Sequence, residues 1–455
     1  MRTERSSLGH AYREQLAREG IEVDELTKGV RQDRLLRICF PREILPTPVF
    51  ISATERAGLL SDVGTVYRLL TELPERLYGG DTAAMAEAVG LTEGQARLVR
   101  RGAAEPLLRL ARADLHYGAD GFKLLEVNIS SSLGGVHIAL LNRAMLNHPT
   151  LARFTAEHGL GYVDIAAHIA ATVRARCGRT ADRPVVALAA LPQEHARYEV
   201  WTHVYADLLD EAGIDAIPCH VGEFAEHAGR LEIHGRPVDA VLRLFLIDEV
   251  HTRQHEAALE PLLRAAESGA VALISRLDGE LYGNKATLAL LLDDRYRSAF
   301  DAGERACLER FLPWTRMVRP EVLLPDGSRG DLESYARARQ RDLILKPVLS
   351  HSGIGMSAGW TVPPEQWLDQ IRHALDGPYV LQRRVKPLPE VFPGSDGDEE
   401  FYLNWGVYVT DPSATGSDGY GGCYLRASAD PEAGVVHNAG TTRIGCVFHE
   451  DTASG

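Results

Sequence analysis

The chain has 455 residues, a formal net charge of -14, and 45% hydrophobic and 25% charged residues. That length exceeds one simple core and implies two or three domains, or one with a large insertion. The acidity argues against non-specific binding to nucleic acid or to an anionic membrane, since both need a basic face; an anionic ligand needs only a local cluster of Lys and Arg. The start, MRTERSSLGHAYREQ, has no apolar h-region, so no signal peptide is expected. No window approaches about 18 uninterrupted apolar residues, so no membrane span is expected either. Cys39, Cys177, Cys219, Cys307, Cys423 and Cys446 lie far apart and form no CxxC or metal-type pair. Inert thiols in a reducing cytoplasm are the expectation.

In chain order, residues 1 to 110 read as mostly helical, with helix-period apolar spacing in TVYRLLTELPERLY and EGQARLVRRGAAEPLLRLA. ADLHYGADGFKLLEVN then reads as a β-hairpin around Gly118–Gly121. Its two strands carry Arg112, Asp114, Glu126 and Asn128. Two carboxylates and an amide oxygen are hard ligands suited to Mg²⁺. Period-two alternation puts Glu126 and Asn128 on one face. Asp114 joins them only in one register, so the turn is expected to hold an odd number of residues, pairing Asp114 with Glu126 and Arg112 with Asn128. Opposed like charges destabilise a sheet, so a cation and Arg112 are expected to compensate. Paired charges on a solvated hairpin would read the same way in isolation.

SSSLGGVHIALLNRAML follows as a Ser/Gly loop entering a helix. From 183 to 270, RPVVALAAL, IDAIPCHV and DAVLRLFLI read as buried strands and EVWTHVYADLLDEAG as a helix, the pattern of a small doubly wound α/β domain. It lacks GxGxxG, so nothing supports a dinucleotide site. Asp248, Glu249 and His251, just after the last of these strands, are candidates to receive an amine, although solvated residues after a strand are commoner. In the last third, LILKPVLSHSGIGM delivers Lys346 to a strand end before a loop with Gly353 and Gly355, whose free N–H groups can cover a polyphosphate; a surface lysine before a turn is the plainer alternative. LYGNKATLALLL places Asn284 and Lys285 at a helix start. YVLQRRVKP ends a strand at Gln382, where a hinge backbone can bond an adenine edge, or an ordinary strand can end. GGCYLRASA carries Arg426, and Asn438 follows in a turn.

Taken together and in this order, these pieces resemble the circularly permuted ATP-grasp group, whose best-known member is glutathionylspermidine synthetase. The E-x-N strand comes first and the phosphate-loop lysine far downstream, the reverse of most ATP-grasp enzymes. RADLHYGADGFKLLEVN resembles the group's R-x-D and LLExN strands, GNKATLALLL its lysine helix, LILKPVLSHSGIG its KP-plus-Gly loop, YVLQ its hinge and GGCYLRASA its late G-x-x-R strand. The loop SHSGIG departs from the group's charged R-E-G-A form. The resemblance covers roughly 111–455 and implies an α+β fold: ATP-grasp elements at 111–182 and 271–455 and the α/β domain at 183–270; the mostly helical region at 1–110 carries none of it. The resemblance implies that Lys285 and Lys346 contact ATP phosphates under a loop of Ser352, Gly353 and Gly355, that Gln382 and its neighbours line the adenine pocket, and that Asp114, Glu126 and Asn128 hold Mg²⁺. Arg112 and Arg426 would stabilise the phosphoryl group and an acyl phosphate, and Ser130, Ser131 and Ser132, with Gly134–Gly135, would face the carboxylate. The implied activity is an ATP-dependent carboxylate–amine ligase releasing ADP and phosphate; a small-molecule kinase on the same scaffold and a non-catalytic nucleotide-binding protein are the alternatives. The implied partners are a small carboxylate and an amine, in the cytoplasm, with a homodimer as the ordinary expectation.

Overall fold

The computed structural model describes residues 6–41, 43–101, 107–129, 133–178, 183–350, 353–433 and 442–450. Its largest element is an eight-stranded sheet drawn from distant parts of the chain. Across it run Val49–Ile51, Arg443–Glu450, Tyr420–Ser428, Gly397–Val409, Ala111–Gly118 and Gly121–Ile129, with Pro389–Gly394 on Gly397–Val409 and Leu160–Gly161 on Arg443–Glu450. The hairpin expected at 111–128 is therefore its edge, next to a strand from the 400s. One face packs on the helix Ala53–Tyr78, started by a Ser52–Glu55 capping box and ended by left-handed Gly79. Leu59, Val63, Val66 and Leu70 of that helix share a core with Ala113, Leu115, Val127, Trp405 and Leu425 of the sheet. Alternation then turns Arg112, Asp114, Glu126, Asn128, Asn404 and Arg426 to the opposite face.

Within the N-terminal region, expected to be mostly helical, Val49–Ile51 is a short strand. It pairs in parallel with Val447–His449, and a run of three residues is too short to show a period.

The α/β pattern expected from 183 forms a four-stranded parallel sheet ordered Ala272–Leu273, Ala240–Arg243, Val185–Ala190, Asp215–His220. DAVLRLFLI supplies only Ala240–Arg243, because the chain then enters a 3-10 turn at Ile247–Glu249. A third sheet, wholly antiparallel, runs Thr315–Met317, Tyr379–Arg383, Leu343–Pro347, Ser357–Ala358. Leu343, Leu345 and Leu381 pack on Trp367 and Ile371 of the helix Pro364–Leu375. Alternation leaves Ile344, Lys346 and Gln382 on the other side, which faces the hairpin. Among the described residues no helix is long and apolar enough to cross a membrane, and no disulfide joins the cysteines.

Candidate active site

Asp114 pairs with Glu126, and Arg112 with Asn128, but not through an odd turn. The ladder runs Gly118↔Gly121, Tyr117↔Phe122, His116↔Lys123, Leu115↔Leu124, which leaves a two-residue turn, Ala119–Asp120. The register then shifts by one, so that Leu125 is an extra residue on its strand. An even turn alone would send Asp114 to the core face; the bulge restores the alignment and releases the Leu125 carbonyl from the ladder. That carbonyl meets the third sheet: Lys346 Nζ and Gln382 Nε2 each lie 3.4 Å from it.

Asp114, expected as a metal ligand, lies between two arginines. Arg112 donates to it through Nε at 2.8 Å and Nη2 at 3.1 Å, and Arg426 through Nη2 at 2.7 Å. Burial alone would push its carboxyl up, but the two guanidinium groups outweigh burial and hold it well below the usual carboxylate range. Asp114 thus serves as the shared acceptor of two arginines. Arg426 bonds Asn404 as well, and Arg112 reaches the Gly134 carbonyl at 2.8 Å, which Tyr408 also bonds. Two glycines allow this. A Cβ on Gly406 would lie 3.0 Å from Arg112 Cδ, and one on Gly135, at φ +89°, would lie 2.7 Å from the Tyr408 hydroxyl.

Glu126 stands opposite a pair of lysines. Lys285 Nζ is 3.5 Å from Glu126 Oε2 and donates to the Ser350 carbonyl at 2.9 Å. Lys285 opens the helix Lys285–Leu291, capped by Asn284; a cation at a helix N-terminus opposes the dipole, so an anion there relieves the conflict. Gly283 brings this helix start close to the hairpin, since a Cβ would lie 3.0 Å from the Val127 carbonyl. Burial pushes the Lys346 ammonium down to about 8, against the pull of Glu126 and with a push from Lys285. Among the described residues, three buried polar atoms of this cluster have no hydrogen-bond partner: Asn128 Nδ2, Arg426 Nε and Ser350 Oγ. Each costs about 1–3 kcal/mol unless something satisfies it.

Eight expected residues therefore converge: Arg112, Asp114, Glu126, Asn128, Lys285, Lys346, Gln382 and Arg426. Gln382 bonds Thr315 and Leu125 with its side chain, so any base contact at the hinge falls to its neighbours. Gly353 and Gly355 have φ of +75° and +72°, and a Cβ on Gly355 would collide with the Pro347 ring at 2.9 Å. Ser130, Ser131, Ser132, Ser352 and Asn438 lie outside the described residues. Glu249 turns back to accept from the Leu246 amide at 2.9 Å. Asn404, Tyr408 and His116 were not singled out from the sequence. His116 was legible: two residues from Asp114 on one strand, it must share that face. Burial pushes its imidazole down to about 4. Beyond it, at the hairpin tip, a cavity of about 830 Å³ opens between Lys123, Leu308, Trp314, Arg316, Arg383 and Lys386; none of the eight converging residues lines it.

The donor set fits Mg²⁺. Glu126 and Asn128 supply one carboxylate and one amide oxygen from a single face, and Mg²⁺ characteristically takes one or two protein carboxylates and completes its shell with phosphate and water. Among the described residues no group of three or more His, Cys, Asp or Glu forms a closed metal cage.

No protein-family model matches the sequence, and no curated protein does. Solved structures do match. A glutathione synthetase-like effector from Globodera pallida, solved in its apo form, superposes with a TM-score of 0.52 over 89% of this chain and 89% of that one, at 12% identity. A provisionally named gamma-glutamylcysteine synthetase from Methylobacillus flagellatus KT gives a TM-score of 0.43 over 86% and 87%, at 13% identity, a score too low to carry an inference. The chain thus shares the fold of a glutathione synthetase-like protein, a mixed α and β architecture of several sheets.

Proposed function

We propose that this protein is an ATP-dependent carboxylate–amine ligase built on a circularly permuted ATP-grasp fold. One observation carries the reading: Glu126, Asn128, Lys285 and Lys346, from three separate stretches of chain, meet on one polar face beside two arginines fixed by Asp114, with buried donors still lacking acceptors. The fold shared with a glutathione synthetase-like protein supports it.

On this reading Lys285 and Lys346 take the phosphates of ATP, and Glu126 and Asn128 hold Mg²⁺. When bound there, Mg²⁺ supplies neutralisation of the charge spread over the transferring phosphoryl oxygens. Asp114 is reassigned from metal ligand to the group that orients Arg112 and Arg426. Their guanidinium groups point at developing negative charge in a buried site, where such preorganised donors act most strongly. A carboxylate oxygen attacks the γ-phosphorus, the bond to ADP breaks, and an acyl phosphate forms. A neutral amine attacks the acyl carbon, loses a proton, and expels inorganic phosphate. Gly134, held by Arg112 and Tyr408, would anchor the far end of the loop that faces the acyl group.

The test is an ADP-release screen over a matrix of carboxylates and amines, with mass spectrometry of the products. A ligase releases ADP only with both partners and yields an amide. ADP release without an amine would identify a kinase, and a nucleotide-binding protein would release none.

A further inference from the structure

The two walls of the site also touch between the lysine cluster and the hinge cavity. His116 is level with Lys123 on one neighbouring strand and Asn404 on the other. Its Nδ1 lies 3.3 Å from the Val385 carbonyl oxygen. A carbonyl only accepts, so Nδ1 carries the proton in this contact. Val385 follows the strand Tyr379–Arg383 and lines the cavity together with Arg383 and Lys386. The other hinge groups are committed to backbone: the Arg383 amide donates to Trp314 O at 2.8 Å and the Arg384 amide to Asp342 O at 2.7 Å. The Val385 carbonyl is held by a side chain, and a side chain can move away.

Position along the strands gives this contact its meaning. Toward one end of the Ala111–Gly118 strand lie Asp114 and its partner Glu126; toward the other lie Gly118 and the cavity of about 830 Å³. A nucleotide with its phosphates on Lys285 and Lys346 and its base at the hinge must cross the line from His116 to Val385. We propose that His116 gates the base site: in the ligand-free protein its N–H holds the hinge carbonyl to which the exocyclic amine of adenine donates when ATP binds. This rests on the nucleotide reading above. The Leu125 carbonyl plays a parallel part, engaging Lys346 and Gln382 from the same wall. The groups that a nucleotide needs are thus bonded across the cleft, and ATP must exchange those bonds for its own.

Calorimetric titration with MgATP, MgGTP and magnesium tripolyphosphate, which has phosphates but no base, tests this. His116→Ala leaves the Val385 carbonyl unpartnered until adenine arrives, so MgATP should bind about tenfold tighter and tripolyphosphate as in wild type. GTP presents an acceptor at that edge and should not gain. His116→Phe, which keeps the ring volume without the donor, should behave like His116→Ala; His116→Gln, which keeps a donor, should stay near wild type. Equal shifts for MgATP and tripolyphosphate, or weaker MgATP binding in both the Ala and Phe variants, would overturn the gate. If wild type binds neither ATP nor tripolyphosphate, the nucleotide reading itself fails; if it binds both, only the gate is at stake.

Discussion

Two buried clusters of charge, one at the end of the parallel sheet and one on the polar face of the large sheet, use the same residue types and are completed differently. In the first, Arg243 is fully buried and donates to the carbonyls of Ser275, Phe245 and Arg276 and to Glu280, whose other oxygen accepts from the Ile247 amide. In the second, Asp114 satisfies two arginines, yet Arg426 Nε and Asn128 Nδ2 are left without acceptors among the described residues, and two lysines face one carboxylate. A cluster closed by backbone carbonyls holds strands together. A cluster short of acceptors and rich in cations is set for an anion. Burial and charge alone do not separate the two; the count of satisfied donors does.

The largest effect should come from breaking the closed cluster. Arg243→Leu strands Glu280, whose carboxyl burial already raises, and should cost about 3–5 kcal/mol of stability, read as a lower melting temperature. Replacing Glu280 with Leu as well should recover much of the loss, because removing both charges avoids the unpaired one. Failure of the double variant to recover would mean that the pair does more than satisfy itself.

Glu126→Gln should do the opposite, leaving melting nearly unchanged while lowering ADP formation by about 10²–10³. Asp114→Asn sharpens the division of labour. It should lower turnover with the Mg²⁺ requirement unchanged, whereas Glu126→Gln should raise the Mg²⁺ concentration for half-maximal rate. A raised requirement in Asp114→Asn would restore Asp114 as a metal ligand.

Lys346 supplies a pH signature. Its ammonium titrates near 8 in the free protein, so above that pH it is largely neutral. Phosphate beside it favours the charged form. ATP binding above pH 8 should therefore take up about one proton, seen as a dependence of binding enthalpy on the buffer's ionisation enthalpy, and affinity should fall as pH rises further. Lys346→Met should abolish the uptake. Unfolding has the same origin: the unfolded chain holds a proton on this lysine up to 10.5 and the folded one only to about 8, so this group makes stability rise with pH between those values.

Gly406→Ala should cost less stability than Arg243→Leu. Its added methyl presses on Arg112 at 3.0 Å and on the Tyr424 carbonyl at 3.1 Å. About 1 kcal/mol of lost stability is expected, together with a larger loss of turnover as the Arg112–Asp114 geometry shifts. The smallest effect should come from breaking the solvent-screened Arg372–Glu333 pair, which should leave the melting temperature nearly unchanged.

Much of this contrast was legible in the sequence, and the parts that were not share a cause. Period-two alternation is enough to put Glu126 and Asn128 together, but the register of Asp114 depends on the turn. The reason assigned to that register was wrong, because an odd turn and a bulge at Leu125 have the same effect on facing, and nothing in KLLEV marks a bulge. Lys346 at a strand end and Lys285 at a helix start followed from apolar runs that stop. That Asp114 accepts from Arg426 depends on a strand more than three hundred positions away, and only the three-dimensional pairing reveals it. Arg243 passed unnoticed inside the apolar run DAVLRLFLI, since a lone arginine in a strand gives no sign of what it will meet. His116 passed unnoticed for the opposite reason: its face was fixed by Asp114, but an uncharged ring has no obvious partner until the hinge is folded against it.

The most direct test is the melting temperature of wild type, Lys346→Ala and Arg243→Leu with and without MgATP, since a ligand that binds only the folded protein raises it. MgATP should stabilise wild type and Arg243→Leu by similar increments, from different starting temperatures, and Lys346→Ala hardly at all. If MgATP stabilises Lys346→Ala as much as wild type, the lysine–carboxylate face is not the nucleotide site.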